Sequence, residues 1–292
     1  MHPLPFDLSD DAAYRVWCEQ KLQDYPSSLD DLVVEIQDPK ALKAAEHEAL
    51  LQRVRKSNMA IYASARGDDP DKELIRALGH QFGLERLDHN MGADDDAITS
   101  LKVQPDALHK GYIPYSNRPI AWHTDGYYND LQHQILGLLL HCVQPAAEGG
   151  ANDLLDHEIL YMQLRDINPE YIRALMHPQA MTIPPNIVEG KALRPARSGP
   201  VFMQLPGGQL HMRYTDRSRS IEWRNDSLTR EAVVELKQLL RADSPFHFNG
   251  TLQSGQGLIS NNVLHTRSGF DDDEAHPRIL YRARYFDRIA GT

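Results

Sequence analysis

The sequence predicts a chain that is mainly β with α insertions, folded as a double-stranded β-helix (jelly-roll) barrel with outer helices. Three observations point there. Short apolar or alternating runs bounded by turn residues recur along the chain, helical segments interrupt them, and no internal repeat or low-complexity tract is present. At 292 residues, 41% of them hydrophobic, the chain can bury a large core, and a single domain over 1–292 is expected.

The elements follow in order. Residues 1–57 read as a helical N-terminal layer, with helices over 10–24 and 39–55, the second started by Asp38 as N-cap and Pro39 in the first turn. The jelly-roll core is expected over 58–292. Residues 58–63 have strand character, Asp71 to Phe82 form a helix ending at Gly83, and 97–103 form a strand. Gln134 to Val143 is apolar and short, which suits a strand buried on both faces. Helices over 157–165 and 169–176 follow, the second capped by Asn168 with Pro169 at N1. The Pro/Gly-rich stretch near 178–208 reads as a lid-like excursion over the site. Residues 228–242 form an amphipathic helix, and 257–264 and 278–286 are strands.

Charge and cysteine content exclude several classes of partner. A net charge of -10, from 31 Lys+Arg against 41 Asp+Glu, disfavours nucleic acid or an anionic membrane as the main partner. Cys18 and Cys142 are too few for a disulfide framework and lack zinc-type spacing. No basic-then-apolar leader and no membrane-length apolar run is seen, so a cytoplasmic protein is expected. Homo-oligomerisation stays open.

The chemistry concentrates in Trp122-His123-Thr124-Asp125. In a strand the side-chain period is two, so His123 and Asp125 point to one side and can share an ion. Gly126 lets the chain turn directly after them. His265, in a strand followed by a polar turn, supplies a third ligand. Two histidines and a carboxylate that leave positions open suit a non-heme ferrous centre, whereas structural zinc closes a fourth position, often with sulfur. The competing reading, a core histidine beside a turn aspartate, stays open here. His133 and His141 are rival ligands, but neither has a carboxylate two residues away.

Downstream, Arg278-Ile279-Leu280-Tyr281-Arg282-Ala283-Arg284-Tyr285-Phe286 alternates. Ile279, Tyr281, Ala283 and Tyr285 face one way; Arg278, Leu280, Arg282 and Arg284 face the other. A cationic face inside a barrel is costly unless an anion such as a dicarboxylate pairs with it; in solvent it needs none.

Together these residues resemble the family of Fe(II)/2-oxoglutarate enzymes that contains taurine dioxygenase, with features of the gamma-butyrobetaine hydroxylases, over residues 110–290. Trp122-His123-Thr124-Asp125 is similar to the proximal ligand motif, Val263-Leu264-His265-Thr266-Arg267 to the distal ligand strand, and Arg278 through Arg282 to the closing arginine pair. The resemblance implies Fe(II) on His123, Asp125 and His265. It also implies 2-oxoglutarate as co-substrate with its far carboxylate on Arg278 and Arg282 close by, and O2 as oxidant. Succinate and CO2 would leave. Where the family carries a Gly-Gly-x-Thr/Ser turn, this chain reads Gly149-Gly150-Ala151-Asn152, so Asn152 stands at the position whose hydroxyl assists that carboxylate. An amide can also donate a hydrogen bond. Retention of Asp125 implies hydroxylation rather than halogenation.

The segment Leu210 to Arg219 resembles the substrate-bordering part of the butyrobetaine hydroxylase branch. Arg213 or Arg217 is expected to pair with a carboxylate or sulfonate, with Tyr214, Tyr115 and Asn117 nearby; a solvated loop of internal salt bridges is the alternative. Tyr127 and Tyr128 either line the pocket or pack at the barrel end. The expected function is hydroxylation, or cleavage by hydroxylation, of a small polar metabolite, anionic or zwitterionic. A non-redox metal hydrolase or isomerase on a jelly-roll scaffold is the alternative, and a non-catalytic binding module a third.

Overall fold

The computed structural model describes residues 5–66, 70–89, 96–103, 113–188, 191–217, 221–272 and 277–292. Helix and strand are both prominent among them, so the chain is mixed α/β rather than mainly β. It folds as two compact units, one made of 1–25, 122–134 and 155–246, the other of 26–121, 135–154 and 247–292.

The second unit is organised by a six-stranded sheet. Its order is Val33–Ile36, Met59–Ser64, Gln256–Ser260, Gly137–Gln144, Ile279–Tyr285 and Thr99–Leu101. The first pair is parallel, with the helix Ala44–Ser57 between its strands in sequence, and the remaining pairs are antiparallel. Alternation sends Tyr62, Leu139, Ile259, Tyr281, Ala283 and Tyr285 to one face. There they meet Leu50 and Val54 of the helix Ala44–Ser57, and Ile75, Leu78 and Phe82 from Glu73–Gln81 and its C-cap. Each such aliphatic side chain withdrawn from water contributes about 1.5–3 kcal/mol, which holds these helices to the sheet. A second cluster gathers Leu101, Tyr115, Cys142 and Leu280. A four-stranded sheet runs Phe248–Gly250, Asn152–Leu155, Leu264–Arg267 and Ile120–His123.

In the first unit the helices Asp11–Leu22, His157–Ile167, Pro169–Leu175 and Ser227–Arg241 accompany short hairpins. Asn168 caps the third of these helices through Glu170 N–H, and Pro169 is its first residue. Arg165 ties down the N-terminal segment, stacking 3.9 Å over the Tyr14 ring and donating to the carbonyls of Pro5 and Asp7. The same unit contains a buried ionic cluster: Lys21 Nζ is 2.7 Å from Asp156 and 2.5 Å from Glu158.

Three expectations are corrected. The N-terminal layer is not purely helical, because the β-branched run Val33-Val34-Glu35-Ile36 pairs as an edge strand. The helix expected from Pro39 starts at Ala44: the Asp38 carboxylate accepts from Lys40 N–H and its carbonyl from Ala41 N–H, closing a turn. The strand expected over 257–264 is broken. Asn262 adopts a left-handed φ of 54°, so one strand ends at Ser260 in the larger sheet and the next begins at Leu264 in the smaller. Within the 178–208 stretch lie five short strands, from Met181–Ile183 to Phe202–Gln204.

The ionic cluster gives a pH dependence. Burial disfavours the Asp156 carboxylate, but Lys21, then His157 and hydrogen bonding, outweigh it and hold its pKa below the ordinary value. That stabilisation is fully present above the ordinary carboxylate range and lost as pH falls through the lower folded value. Burial likewise opposes the Lys21 charge, while Asp156 and Glu158 raise its pKa, so this part is lost only as pH rises through that raised value. Lys21→Met, which strands two carboxylates, is expected to cost about 3–5 kcal/mol in urea denaturation at pH 7. The deficit should narrow as pH falls, beginning above the ordinary carboxylate range, because burial without Lys21 raises the pKa of Asp156 and its protonation removes the unpaired charge.

Candidate metal centre

His123 ends the strand Ile120–His123, and its neighbours are fastened to 214–216. Thr124 N–H donates to Tyr214 O at 3.0 Å, Tyr214 N–H to Thr124 Oγ1 at 3.1 Å, and Asp216 N–H to Trp122 O at 2.8 Å. Asp125 lies past the strand end, in the turn that Gly126 permits with φ 67°. The pair therefore converges by a turn, not by strand alternation as expected, and His123 Nε2 stands 3.6 Å from Asp125 Oδ1. His265 is the second residue of the adjacent strand Leu264–Arg267. Its Nδ1 is 3.0 Å from the Val263 carbonyl; with the proton placed there, Nε2 is the nitrogen with a lone pair for a metal ion.

Ligand atoms of His123, Asp125 and His265 all lie within 4.8 Å of one another. Bonds of about 2.1 Å at near right angles put facial donors roughly 3 Å apart, so the 3.6 Å edge needs only a small adjustment to close on an ion. Two nitrogens and one oxygen, with Asp125 and His265 buried and no fourth His, Cys, Asp or Glu in the group among the described residues, fit a ferrous site with open positions. The rival histidines lie elsewhere: exposed His133 pairs with Asp130 at 2.8 Å, and buried His141 meets the Tyr62 hydroxyl at 2.9 Å.

The arginine row resolves into separate cases. Arg278 precedes the strand Ile279–Tyr285, whose register shifts between Ile279 and Leu280. Its guanidinium is 4% exposed and lies 4.9 Å over the Phe270 ring, and burial holds its pKa below the usual arginine value. The Gly149-Gly150 turn fits against it: a Cβ at Gly150 would be 3.3 Å from Arg278 Nε, and one at Gly149 would collide with the Gly269 carbonyl. Both glycines have positive φ. Arg284 is committed to Asp88 in a buried ion pair. Arg282, half-buried, stands opposite Leu140 and Thr99.

Asn152 donates to Thr266 O at 2.6 Å, which engages one amide hydrogen. It also lines, with His265, Leu140, Leu154 and Leu258, a cavity of about 220 Å³. The segment expected near substrate divides in two. Arg213, 1% exposed, donates to the carbonyls of Tyr127 (2.6 Å), Arg197 (2.7 Å) and Met181 (3.5 Å), and burial pushes its pKa down to about 10. Arg217 is exposed and touches Tyr127; Arg219 lies outside the described residues. Tyr214 is buried, its hydroxyl 3.4 Å from Asp216, and Tyr127 and Tyr128 pack edge to face. Tyr115 packs in the cluster with Cys142 and Leu280, while the Asn117 carbonyl accepts from Phe270 N–H. Sequence reasoning assigned nothing to Arg267. It is buried beside Arg278 and Arg282, and burial first, then those two charges, lower its pKa to about 9. Its adjacency to His265 was the available signal.

Against this geometry, the family model described as "Taurine catabolism dioxygenase TauD, TfdA family" matches residues 29–284. The chain belongs to the TauD/TfdA family. As a member of it, the enzyme is an Fe(II)- and 2-oxoglutarate-dependent dioxygenase that consumes O2, and the hydrolase alternative falls away. A uridine-5'-phosphate dioxygenase of a Streptomyces species is 30% identical over 219 residues, 72% of this chain and 77% of the relative. One from an Amycolatopsis species is 24% identical over 278 residues, 88% and 97% of the two chains. In fold the chain is similar to an asparagine oxygenase complexed with Fe(II), 3-hydroxyasparagine and succinate (TM-score 0.61, 13% identity, 85% and 81% covered). It is also similar to AAD-2 with Mn(II) and N-oxalylglycine (TM-score 0.59, 13% identity, 90% and 96% covered). The architecture is thus of the type found in these oxygenases. No described helix is long and apolar enough to cross a membrane.

Equilibrium dialysis against Co(II) should load one ion per wild-type chain, with His265→Ala showing at least ~100-fold weaker affinity, the upper end of what losing part of a ligand shell costs. Undiminished loading of the variant would remove His265 from the ligand set.

Proposed function

We propose that His123, Asp125 and His265 hold the ferrous ion, and that Arg278 receives the far carboxylate of 2-oxoglutarate. We propose further that the substrate is a small anionic metabolite of the nucleoside monophosphate class. The observation that carries the ligand set is the approach of two imidazoles and one carboxylate within reach of a single ion. Arg278 is favoured as the co-substrate anchor because its guanidinium is buried against Phe270 and the Gly-Gly turn, where a carboxylate would offset the cost of burying its charge. In a site of low dielectric that pairing gains strength, and the planar fork fixes the orientation of a diacid. Asn152, with one amide hydrogen already engaged, has a second to offer the same carboxylate.

Bound Fe(II) with 2-oxoglutarate and O2 supplies the oxidant: one oxygen atom goes to succinate, with loss of CO2, and the other to a C–H bond of the substrate. The protein's share is orientation and exclusion of water. Hydroxylation at a carbon bearing an oxygen leaving group would collapse to a carbonyl and release that group, so cleavage is a natural outcome with a phosphate ester. The substrate class rests on the names of the two curated relatives and on exposed Arg217, whereas Arg213, Tyr214 and Tyr115 are buried in structural contacts. Asn117 is favoured as a rim residue, being exposed beside Phe270. We read the six-stranded and four-stranded sheets as halves of the jelly-roll barrel, 178–208 as a lid-like segment, and 1–292 as one catalytic domain working in the cytoplasm.

Succinate formation, followed with a panel containing uridine-5'-phosphate, uridine and non-nucleotide anions, tests this reading. Turnover should require the phosphate, vanish in His123→Ala, and show a KM for 2-oxoglutarate raised about 10–100-fold in Arg278→Ala, the loss of a charge-assisted hydrogen-bond pair. Equal turnover of uridine and its phosphate would refute the anionic class, and an unchanged KM would refute the role of Arg278.

A further inference from the structure

We propose that Arg267 is a positioning residue that fixes where the strand carrying His123 enters alongside the strand carrying His265; the idea rests on the ligand set proposed above. Arg267 follows His265 by two residues in the strand Leu264–Arg267, so strand alternation turns both to the same side. The residue is 5% exposed, and among the described residues the carboxylate that acts on its charge, Asp272, makes no hydrogen bond to it. The hydrogen bonds of Arg267 to described residues go to one loop, and its Nε is buried without a partner among them. Nη2 donates to Ser116 O at 2.6 Å and Arg118 O at 2.7 Å, with Ile113 O at 3.5 Å, and Nη1 donates to Pro114 O at 3.3 Å. The Phe270 ring lies 4.9 Å from the guanidinium, which fixes the plane of the fork.

That loop has one immediate destination. Arg118 stands two residues before Ile120, where the strand that ends in His123 begins. The two strands are neighbours in one sheet, so their lateral separation is set by backbone pairing. Pairing alone leaves the entry to the His123 strand free to slide. Arg267 removes that freedom by holding Pro114, Ser116 and Arg118 in one rigid fork, and Phe270 N–H adds a bond to Asn117 O at 3.1 Å. The same turn reaches the glycine motif as well, since Ser268 N–H donates to Ala151 O and Gly150 N–H to Gly269 O. A short stretch, Arg267 to Phe270, thereby sets the proximal ligand strand and the Gly-Gly turn relative to His265.

A buried guanidinium whose hydrogen bonds among the described residues all go to carbonyls of one loop depends on shape more than on ion pairing. Lysine keeps the charge but has a compact ammonium that cannot span three carbonyls while stacking on a ring. Arg267→Lys and Arg267→Met are therefore both expected to weaken Co(II) binding at least tenfold and to alter the visible bands of the cobalt protein. Phe270→Leu, which leaves the fork without its platform, should shift both in the same direction by less. In Arg267→Ala, millimolar guanidinium ion should restore most of the cobalt affinity, an outcome that a general folding defect would not give. Wild-type cobalt affinity and spectrum in Arg267→Lys, or failure of guanidinium to rescue Arg267→Ala, would overturn the proposal. Absence of cobalt uptake by the wild-type protein itself would instead overturn the ligand set on which it rests.

Discussion

Bringing His123, Asp125 and His265 within reach of one ion depends on the pairing of two strands from distant parts of the chain, Ile120–His123 and Leu264–Arg267. Neither strand ends by accident. The first stops where Gly126 allows a left-handed turn that brings Asp125 round beside His123, and the second starts where Asn262 takes a left-handed conformation and moves the chain from the larger sheet to the smaller. The polar turn that makes this transfer is itself fixed, with Asn262 donating to Ile135 O and Asn261 to the Asn58 side chain. Ligand convergence thus rests on buried backbone and amide hydrogen bonds more than on apolar contact.

The second governing constraint is what a buried guanidinium may do. Four arginines of this chain illustrate the choices. Arg284 takes a carboxylate, Asp88; Arg213 and Arg267 take backbone carbonyls; Arg278 stacks on an aromatic ring beside a glycine turn. Cost follows the quality of the partner: carbonyls satisfy hydrogen bonds but return little Coulomb energy, which is why burial drives the Arg213 and Arg267 pKa values down to about 10 and about 9. Arginines of the first two kinds are structural. An arginine of the third kind, stacked on a ring rather than fixed by a direct ion pair among the described residues, is the one suited to bind an anion.

Much of this was legible in the sequence. The buried apolar strand Gly137–Gln144, the helix Glu73–Gln81 before Gly83, and the Asn168-Pro169 start of Pro169–Leu175 follow from local pattern and capping chemistry. So does the His-x-Asp pair with its trailing glycine. What was illegible depended on distant partners. Nothing local distinguishes Arg213, fixed on three carbonyls, from exposed Arg217 four residues later. The alternation that grouped Arg278, Arg282 and Arg284 on one face ignored both the register shift after Ile279 and the presence of Asp88, almost two hundred residues upstream, awaiting Arg284.

By itself, then, the amino-acid order determined which atoms could serve as ligands and which segments could be strands or helices, because donor chemistry and side-chain periodicity are local properties. Tertiary structure alone decided that His265 joins His123 and Asp125, that Arg267 grips the loop before the proximal strand, and which arginines are already satisfied. The reason is physical: the cost of burying a charge and the closing of a ligand set depend on groups brought close in space by sheet pairing, and no window along the chain contains them.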